Sequence, residues 1–226
     1  SNMRLASDYY KKTTKVSNAN AATVITGTDA VVGVQTLKIN SLAKSGYLTG
    51  AELKTKDGKD VSGSTTLKDL GLSGDDLSFK INGKTKTFKE SATLNDVVNK
   101  LKEEGVNASF DDKNNRFFIS SKSTGKSSDF TLEGDILKTL GISALSTKER
   151  EQYKALCKSE LVNGKYEAID NTQEAMDAAA ALNAASEGAT RIYGSNAEIE
   201  LNGATFVSNT NTFQINGLTI TANEET

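Results

Sequence analysis

A five-residue phrase, apolar-x-Ile/Leu-Asn-Gly, occurs three times in this sequence, at residues 79–83, 199–203 and 213–217. Each copy alternates apolar and polar side chains and then reaches an Asn-Gly pair, a dipeptide that readily adopts positive φ. This combination is the strongest local signal for a two-residue β-hairpin. The recurrence therefore predicts a chain that is built from repeated small β-hairpins.

Further β-like segments lie towards both ends of the sequence, within 31–44, where one irregularity suggests a bulge, and within 197–221. Hydrophobic residues make up 36% of the 226 residues and aromatic residues 6%, which favours two small cores over one large core. We predict an α+β, mostly β fold in which one domain is inserted into the other. The predicted divisions are a linker or end of a truncated stalk at 1–28, a discontinuous β-rich domain at 29–72 plus 195–226, and an inserted α+β domain at 73–194.

The inserted domain begins with a predicted ββαββ module. A hairpin at 77–89 precedes a short amphipathic helix, for which Thr93 is the expected N-cap, Asp96 the N3 residue and Gly105 the end. The remaining two strands are expected between 106 and 120. The apolar stripe of the helix consists of Leu94, Val97, Val98 and Leu101.

Two seven-residue segments, 67–73 and 137–143, echo each other in sequence. Each resembles one helical turn that ends at a glycine, Gly71 in the first and Gly141 in the second. At the C′ position of a helix, glycine adopts the left-handed conformation at little cost. We therefore expect the same capped turn in both places.

The segment 146–188 is predicted to be helical. Ser146-x-x-Glu149 matches a capping box, and the helix that it opens is expected to run to about Val162 and to end at Asn163-Gly164. A second, alanine-rich helix is expected from about 170–172 to Gly188.

The sequence contains no His, the side chain that usually performs general acid–base catalysis near neutral pH and that binds many metals. Cys157 is the one cysteine, so no internal disulfide can form. A nucleophilic role for Cys157 is the alternative to a small buried residue on a helix, which is the interpretation we favour.

Three acidic pairs could suggest a glycosidase, namely Asp75-Asp76, Glu103-Glu104 and Asp111-Asp112. Neighbouring carboxylates point in different directions on a strand or helix, so we interpret these pairs as solvated residues of turns and helix ends.

Two loops begin like ligand-binding motifs but lack the residues that complete them. The loop at 111–115 starts like a calcium loop, yet its sixth position is Arg116 and its twelfth is Lys122. The Gly-rich segment 71–74 lacks the Lys-Ser/Thr pair of a phosphate-binding loop. We therefore predict no catalytic residue, no metal site and no cofactor, and interpret the chain as a scaffold or assembly protein rather than an enzyme.

The formal net charge is −2, but the charges are unevenly distributed. Residues 1–165 carry 26 basic and 20 acidic side chains, whereas residues 166–226 carry 1 basic and 9 acidic ones. This division could support a head-to-tail contact between copies of the chain, against the plainer interpretation of solvated faces that never meet. No basic run is interleaved with aromatic residues, so no nucleic-acid partner is expected, and no apolar stretch is long enough for membrane insertion.

Two groups of segments resemble known flagellar proteins. The first resembles a repeat shared by flagellins and hook-associated proteins and comprises 93–101, 105–111, 116–120 and 123–125. The second is similar to the head region of the hook-associated protein 2 family of flagellar filament caps and comprises 33–44, 197–203, 208–210 and 215–220. Together they cover 29–145 and 195–221. Gln35 stands where the family usually has an aromatic residue, and the helices at 146–188 have no counterpart.

The resemblance implies a head fragment of a secreted structural protein at the extracellular tip of the bacterial flagellum. It also implies a homo-oligomer that caps the filament and promotes flagellin polymerisation, with flagellin and hook-associated proteins as partners. The alternative is an extracellular adhesin module that binds host mucus or surface glycans through Asn114-Asn115, Tyr166 or Tyr193. The sequence does not indicate which surface contacts a partner.

Overall fold

The computed structural model describes residues 21–26, 35–145, 147–184 and 189–226. Within these residues the chain forms thirteen β-strands and four α-helices, with antiparallel strand pairing, and the predicted α+β, mostly β class is confirmed. The strands are β1 (Ala22–Thr26), β2 (Leu37–Ser41), β3 (Tyr47–Thr49), β4 (Leu77–Ile81), β5 (Lys84–Phe88), β6 (Asn107–Asp111), β7 (Arg116–Ser120), β8 (Leu132–Glu133), β9 (Thr190–Ile192), β10 (Ala197–Leu201), β11 (Ala204–Ser208), β12 (Thr212–Ile215) and β13 (Leu218–Ala222). The helices are α1 (Leu94–Lys102), α2 (Ile136–Thr139), α3 (Thr147–Ala155) and α4 (Gln173–Ala184).

The described chain divides into two compact units. The terminal unit comprises 21–26, 35–45, Ser123–Ser128 and Gly194–Thr226, and the central unit comprises the described residues of Gly46–Lys122 and Asp129–Tyr193. These limits differ from the predicted domain bounds, because residues 46–72 lie in the central unit and not with 195–226. The physical reason is that β3, at the start of this segment, pairs with β7 on one side and with β9 on the other, and both of these strands belong to the central unit.

The terminal unit contains two three-stranded sheets, in the orders β1-β13-β12 and β11-β10-β2. Both contribute to one apolar core, whose largest buried side chains are Ile39, Ile199, Leu201, Phe213, Leu218 and Ile220. The first sheet corrects the linker prediction: residues 22–26, expected within the linker at 1–28, form a strand that pairs with the end of the chain. Residues 1–20 and 27–28 of that predicted linker lie outside the described residues.

The predicted strand at 31–44 is shorter in the structure, where β2 covers Leu37–Ser41. Its irregularity lies at Asn40, because Ile39 opposes Ile199 in β10 whereas Ser41 opposes Glu198, so that Asn40 is an extra residue. The first part of the predicted strand, residues 31–34, lies outside the described residues.

All three Asn-Gly phrases form the predicted hairpin turns, which join β4 to β5, β10 to β11 and β12 to β13. Both central residues of each turn have positive φ: 50° and 76° at Asn82-Gly83, 52° and 80° at Asn202-Gly203, and 48° and 77° at Asn216-Gly217. These values are those of the turn that matches the right-handed twist of paired strands.

Two of the three turns also bind a third strand through the asparagine. The Asn82 main-chain N–H donates to the Thr131 carbonyl oxygen (3.0 Å), and the Thr131 N–H donates to Asn82 Oδ1 (3.0 Å). Asn202 makes the same two bonds with Thr36, at 2.8 and 3.0 Å. We call this reciprocal arrangement the asparagine clasp. Each clasp secures the residue immediately before the strand that flanks the hairpin, β8 in one case and β2 in the other.

The central unit packs α1 against a four-stranded sheet in the order β6-β7-β3-β9, and it also contains the sheet β5-β4-β8. The predicted capping box of α1 is confirmed: the Asp96 N–H donates to Thr93 Oγ1 (3.2 Å) and the Thr93 N–H donates to Asp96 Oδ2 (2.8 Å). The buried residues of α1 are the predicted stripe, Leu94, Val97, Val98 and Leu101. They join a core that includes Phe79, Phe117 and Phe130.

The two echoing segments end in the same hydrogen-bonded cap. The N–H groups of Gly71 and Leu72 donate to the carbonyls of Lys68 and Leu67, at 2.9 and 3.0 Å. The corresponding bonds from Gly141 and Ile142 to Lys138 and Leu137 measure 3.1 and 3.0 Å. Both glycines have positive φ, 96° and 66°, so the expected capped turns are confirmed.

The first helix of the predicted segment 146–188 is shorter than expected, and the prediction that it reaches Val162 is wrong. Helix α3 ends at Ala155, and the chain then forms a narrow ribbon in which Cys157 pairs with Ala168 and Val162 pairs with Lys165. Asn163-Gly164 is a fourth hairpin turn of the same kind, with φ of 52° and 76°, and not a helix end. Helix α4 begins at Gln173, close to the predicted start; Ser146 and Gly188 lie outside the described residues.

Candidate interaction surface

The predicted acidic pair Asp111-Asp112 is divided between two structural roles. Asp111 accepts hydrogen bonds from the Asn114 side chain (2.7 Å) and from the main-chain N–H groups of Asn114 (3.1 Å) and Lys113 (2.9 Å). These bonds, first of all those from Asn114, hold the pKa of Asp111 below its ordinary value. Asp112 instead accepts the N–H of Gly63 at 2.8 Å. The two carboxylates therefore hold different loops and do not share a site.

The other glycine-rich and acidic segment, at 71–76, contacts Glu90 through its main chain. The Gly74 N–H donates to Glu90 Oε2 at 2.9 Å, and Asp75 and Asp76 are exposed before β4.

Glu103 and Glu104 belong to an ion-pair network that sequence reasoning missed. Glu103 and Glu104 directly follow α1. Lys86 Nζ, on β5, lies 2.7 Å from Glu104 Oε1 and 3.1 Å from Glu103 Oε2. Lys84 Nζ lies 3.1 Å from Glu104 Oε2, and Lys100 Nζ lies 3.4 Å from Glu103 Oε1. The side chains of Lys86 and Glu104 are 13% and 11% exposed, so the interpretation of Glu104 as solvated is wrong. Hydrogen bonds from Lys86 and then Lys84 hold the pKa of Glu104 below its ordinary value.

Cys157 is buried, at 4% exposure, in a small cluster with Ala179 and Leu182 of α4. It lies at the start of the ribbon after α3, and not on a helix as predicted. Burial raises the pKa of its thiol, which keeps the sulfur protonated and opposes nucleophilic reactivity.

The residues suggested for glycan binding do not form one cluster. Asn115 is buried, at 8% exposure, so the expectation that it is an exposed turn residue is wrong. Tyr166 packs beside Cys157, with its main-chain N–H and carbonyl oxygen bonded to the Asn183 side chain at 2.9 and 2.8 Å. Tyr193 is 45% exposed and lies elsewhere, over the guanidinium of a buried arginine.

That arginine, Arg191, is the one basic residue of 166–226 and projects from β9 into the central unit. Its Nη2 lies 3.0 Å from Asp129 Oδ1 and 2.7 Å from the Phe130 carbonyl oxygen. The guanidinium lies between two rings, 4.1 Å from the centroid of Phe130 and 4.3 Å from that of Tyr193. Gly46 makes room for the carboxylate, because a Cβ there would overlap Asp129. Sequence reasoning missed this cluster, although a single basic residue in a long acidic segment was the available signal.

A cavity of about 280 Å³ adjoins Arg191. Leu132, Leu137 and Ile142 supply apolar walls, and Glu133, Ser143 and Tyr193 supply polar groups. The charge of Arg191 is already matched by Asp129 and by carbonyl oxygens, so the guanidinium does not present a free anion site there.

The largest exposed apolar side chains of the central sheet lie on one face. Tyr47, Ile192 and Phe118 are 52%, 50% and 40% exposed. Tyr47 is directly opposite Ile192 across β3 and β9, and Phe118 is a diagonal neighbour of Tyr47 across β3 and β7. Thr49 and Thr190 continue the same face. We call this set the outer face; it combines aromatic, aliphatic and hydroxyl groups, and Arg116, two positions before Phe118 on β7, projects to the same side of the sheet.

Alternation explains why these residues share a face. Leu48 and Ile119, their neighbours in sequence, point into the core and are 3% and 1% exposed. Sequence reasoning missed the outer face because β3 and β9 have three residues each, too short to show alternation. The β-branched and aromatic residues at 190–193 were the available signal.

Within the described residues, no group of three or more His, Cys, Asp or Glu side chains could hold a metal ion. None of the helices in this part of the chain combines the length and apolar character needed to cross a bilayer.

No protein-family model matches the sequence, and no curated protein matches it. Solved structures do match. The D2-D3 domains of the flagellar cap protein FliD from Serratia marcescens align with a TM-score of 0.53 and 21% identity, over 91% of this chain and 94% of that one. FliD from Pseudomonas aeruginosa PAO1 aligns with a TM-score of 0.51 and 18% identity, over 91% of this chain and 80% of that one.

The D1-D2-D3 domains of FliD from Escherichia coli align over the whole of this chain, with a TM-score of 0.55 and 19% identity. This chain spans 55% of that longer structure. The resemblance to filament caps is thus confirmed for the fold. The chain has the fold of the D2-D3 domains of flagellar cap proteins.

Proposed function

We propose that the chain is the head of a flagellar filament cap, a structural protein without enzymatic activity. The single observation that carries this proposal is the shared fold over 91% of the chain with the D2-D3 domains of a flagellar cap protein. The described chemistry is compatible with it, because Asp111 and Asp112 accept hydrogen bonds from different loops, Glu103 and Glu104 form ion pairs with lysines, and Cys157 is buried. The terminal and central units would then correspond to the discontinuous and the inserted head domain, with the limits that the two units have here.

In this role the protein acts outside the cell, at the tip of the filament. We propose that it is exported, forms a homo-oligomer in its full-length form, contacts hook-associated proteins, and promotes the polymerisation of flagellin. The uneven distribution of charge supports a contact between the basic part of one copy and the acidic part of the next.

We further propose that the outer face contacts flagellin subunits. Exposed aromatic and aliphatic side chains, here Tyr47, Phe118 and Ile192, are typical of protein contacts, and the flanking threonines can hydrogen-bond with a partner.

The role is tested in the source bacterium by deleting the gene that encodes this chain and restoring it on a plasmid. We expect the deletion strain to release unpolymerised flagellin into the medium and to carry hooks without filaments, and the restored strain to build filaments. Filaments of normal length on the deletion strain would refute the proposed role.

The contact is tested separately with a photo-cross-linking amino acid at position 118 of the full-length protein. The matched control is position 207 in the terminal unit, where Val207 is 58% exposed. We expect cross-links to flagellin from position 118 and none from position 207. Equal labelling from both positions, or labelling from 207 alone, would show that the outer face is not the contact surface.

A further inference from the structure

Four Asn-Gly pairs in this chain, at 82–83, 163–164, 202–203 and 216–217, are exposed at both residues. Asn-Gly is also the dipeptide most open to intramolecular attack by its own backbone. The glycine nitrogen can bond to the asparagine Cγ because glycine has no Cβ to obstruct the approach. The Cγ–Nδ2 bond then breaks, the amide nitrogen leaves as ammonia with the proton of the glycine N–H, and a succinimide ring remains. One water molecule opens the ring to aspartate or isoaspartate.

The structure holds the four asparagines to very different extents. Ring closure requires rotation of the asparagine about the Cα–Cβ bond (χ1) and about ψ, so that Cγ can reach the glycine nitrogen. Asn82 and Asn202 must first break the asparagine clasp, in which Oδ1 accepts one hydrogen bond and the main-chain N–H donates another. Asn216 has no side-chain hydrogen bond to the described residues, but four cross-strand pairs of β12 and β13 hold its turn.

Asn163 has neither form of support. Its side chain makes no hydrogen bond to the described residues, and its turn is closed by the single pair Val162 and Lys165, through bonds of 2.9 and 3.0 Å. The next main-chain bond of the ribbon is the one from the Lys158 N–H to the Glu167 carbonyl oxygen. Opening this turn therefore breaks two hydrogen bonds and disturbs no sheet.

We propose that Asn163-Gly164 is a site of spontaneous modification, where asparagine converts through the succinimide to isoaspartate ahead of the other three pairs. The product adds a carboxylate and places one extra carbon in the main chain of a two-residue turn. The lengthened turn cannot keep Val162 and Lys165 in register, so the tip of the ribbon opens. The fraction of isoaspartate at position 163 should therefore increase with the age of the folded protein.

The chain contains a matched control for this reaction. Asn82 and Asn163 both follow a β-branched residue and both precede Gly-Lys, so their local covalent chemistry is nearly the same. They differ in the clasp and in the strands around the turn. A difference between their rates in the folded protein therefore reports structure.

The test incubates the purified folded chain at mildly alkaline pH and 37 °C, with samples digested and analysed by mass spectrometry that distinguishes isoaspartate from aspartate. We expect Asn163 to convert about tenfold faster than Asn82, since the hydrogen bond that Asn82 Oδ1 accepts from the Thr131 N–H must break before the Asn82 side chain can rotate. A parallel incubation in denaturing urea should bring the rates at Asn82 and Asn163 together. Equal rates at these two residues in the folded protein, or an unchanged ratio in urea, would overturn the proposal.

Discussion

Replacing either member of the buried pair Asp129–Arg191 should destabilise the central unit strongly. The two side chains are 11% and 5% exposed, and the ion pair is 3.0 Å long. Removing one partner of a buried pair leaves the other charge uncompensated, which costs about 3–5 kcal/mol. The free energy of unfolding of a whole domain is only about 5–15 kcal/mol, so the effect would be easy to measure.

The two single substitutions should differ in size. In Asp129→Asn the guanidinium keeps its bonds to the carbonyl oxygens of Phe130 (2.7 Å) and Ile192 (2.6 Å) and its contacts with two rings, so we expect about 3 kcal/mol. In Arg191→Met those interactions are lost as well, and the carboxylate retains the N–H of Phe130, so we expect about 5 kcal/mol. The double substitution removes both charges. Its cost should fall short of the sum of the single costs by about 2 kcal/mol or more.

The assay is urea unfolding followed by far-ultraviolet circular dichroism, with amide hydrogen exchange of β3 and β9 as the local measurement. Hydrogen exchange is needed because the chain has two compact units and can depart from two-state unfolding. We expect the Leu48 and Ile192 amides to lose protection in both single variants and to recover part of it in the double variant. Additive costs below about 1 kcal/mol each would refute the reasoning, since that is the value of a solvated ion pair.

Three further outcomes follow from local contacts. Thr93→Ala removes the cap of α1 and should cost about 1 kcal/mol in urea unfolding, whereas Thr93→Ser should cost little. Because the pKa of Glu104 is lowered in the folded state, its contribution to stability is present above the ordinary glutamate pKa of about 4.3 and is lost as the pH falls below it. The Lys86→Gln variant should therefore lose less stability on acidification than the parent; an equal loss would contradict this. Asn202→Ala should cost about 1 kcal/mol more than Asn216→Ala, because both lose a residue suited to positive φ but only Asn202 loses a clasp.

Local signals allowed the hairpins and the capped helix to be predicted from sequence. Asn-Gly turns and the Thr93–Asp96 box are decided by residues that are at most three positions apart, so their chemistry is visible in the sequence. The fourth turn, Asn163-Gly164, carried the same signal and was interpreted as a helix end because the preceding segment has helical spacing. The turn chemistry, and not that spacing, determines the structure there.

The features that the sequence did not reveal depend on distant pairing. Arg191 and Asp129 are 62 residues apart, and no local pattern brings them together. The outer face likewise depends on β3 lying between β7 and β9. The same pairing places residues 46–72 in the central unit. Strand order is a property of the assembled sheet, so neither the candidate surface nor the unit limits could be derived from local periodicity.

The pairing of β1 with β13 has a consequence for the order in which this protein can fold. Ala22 is opposite Ala222, and Ile39 in β2 is opposite Ile199 in β10, so both sheets of the terminal unit join segments from the two ends of the chain. The hairpins β4–β5 and β6–β7 close over a few residues and can form as soon as they emerge from the ribosome. Strand β1 therefore has to wait for β13. A chain that travels with its N-terminus in front cannot complete this unit until Ala222 has arrived.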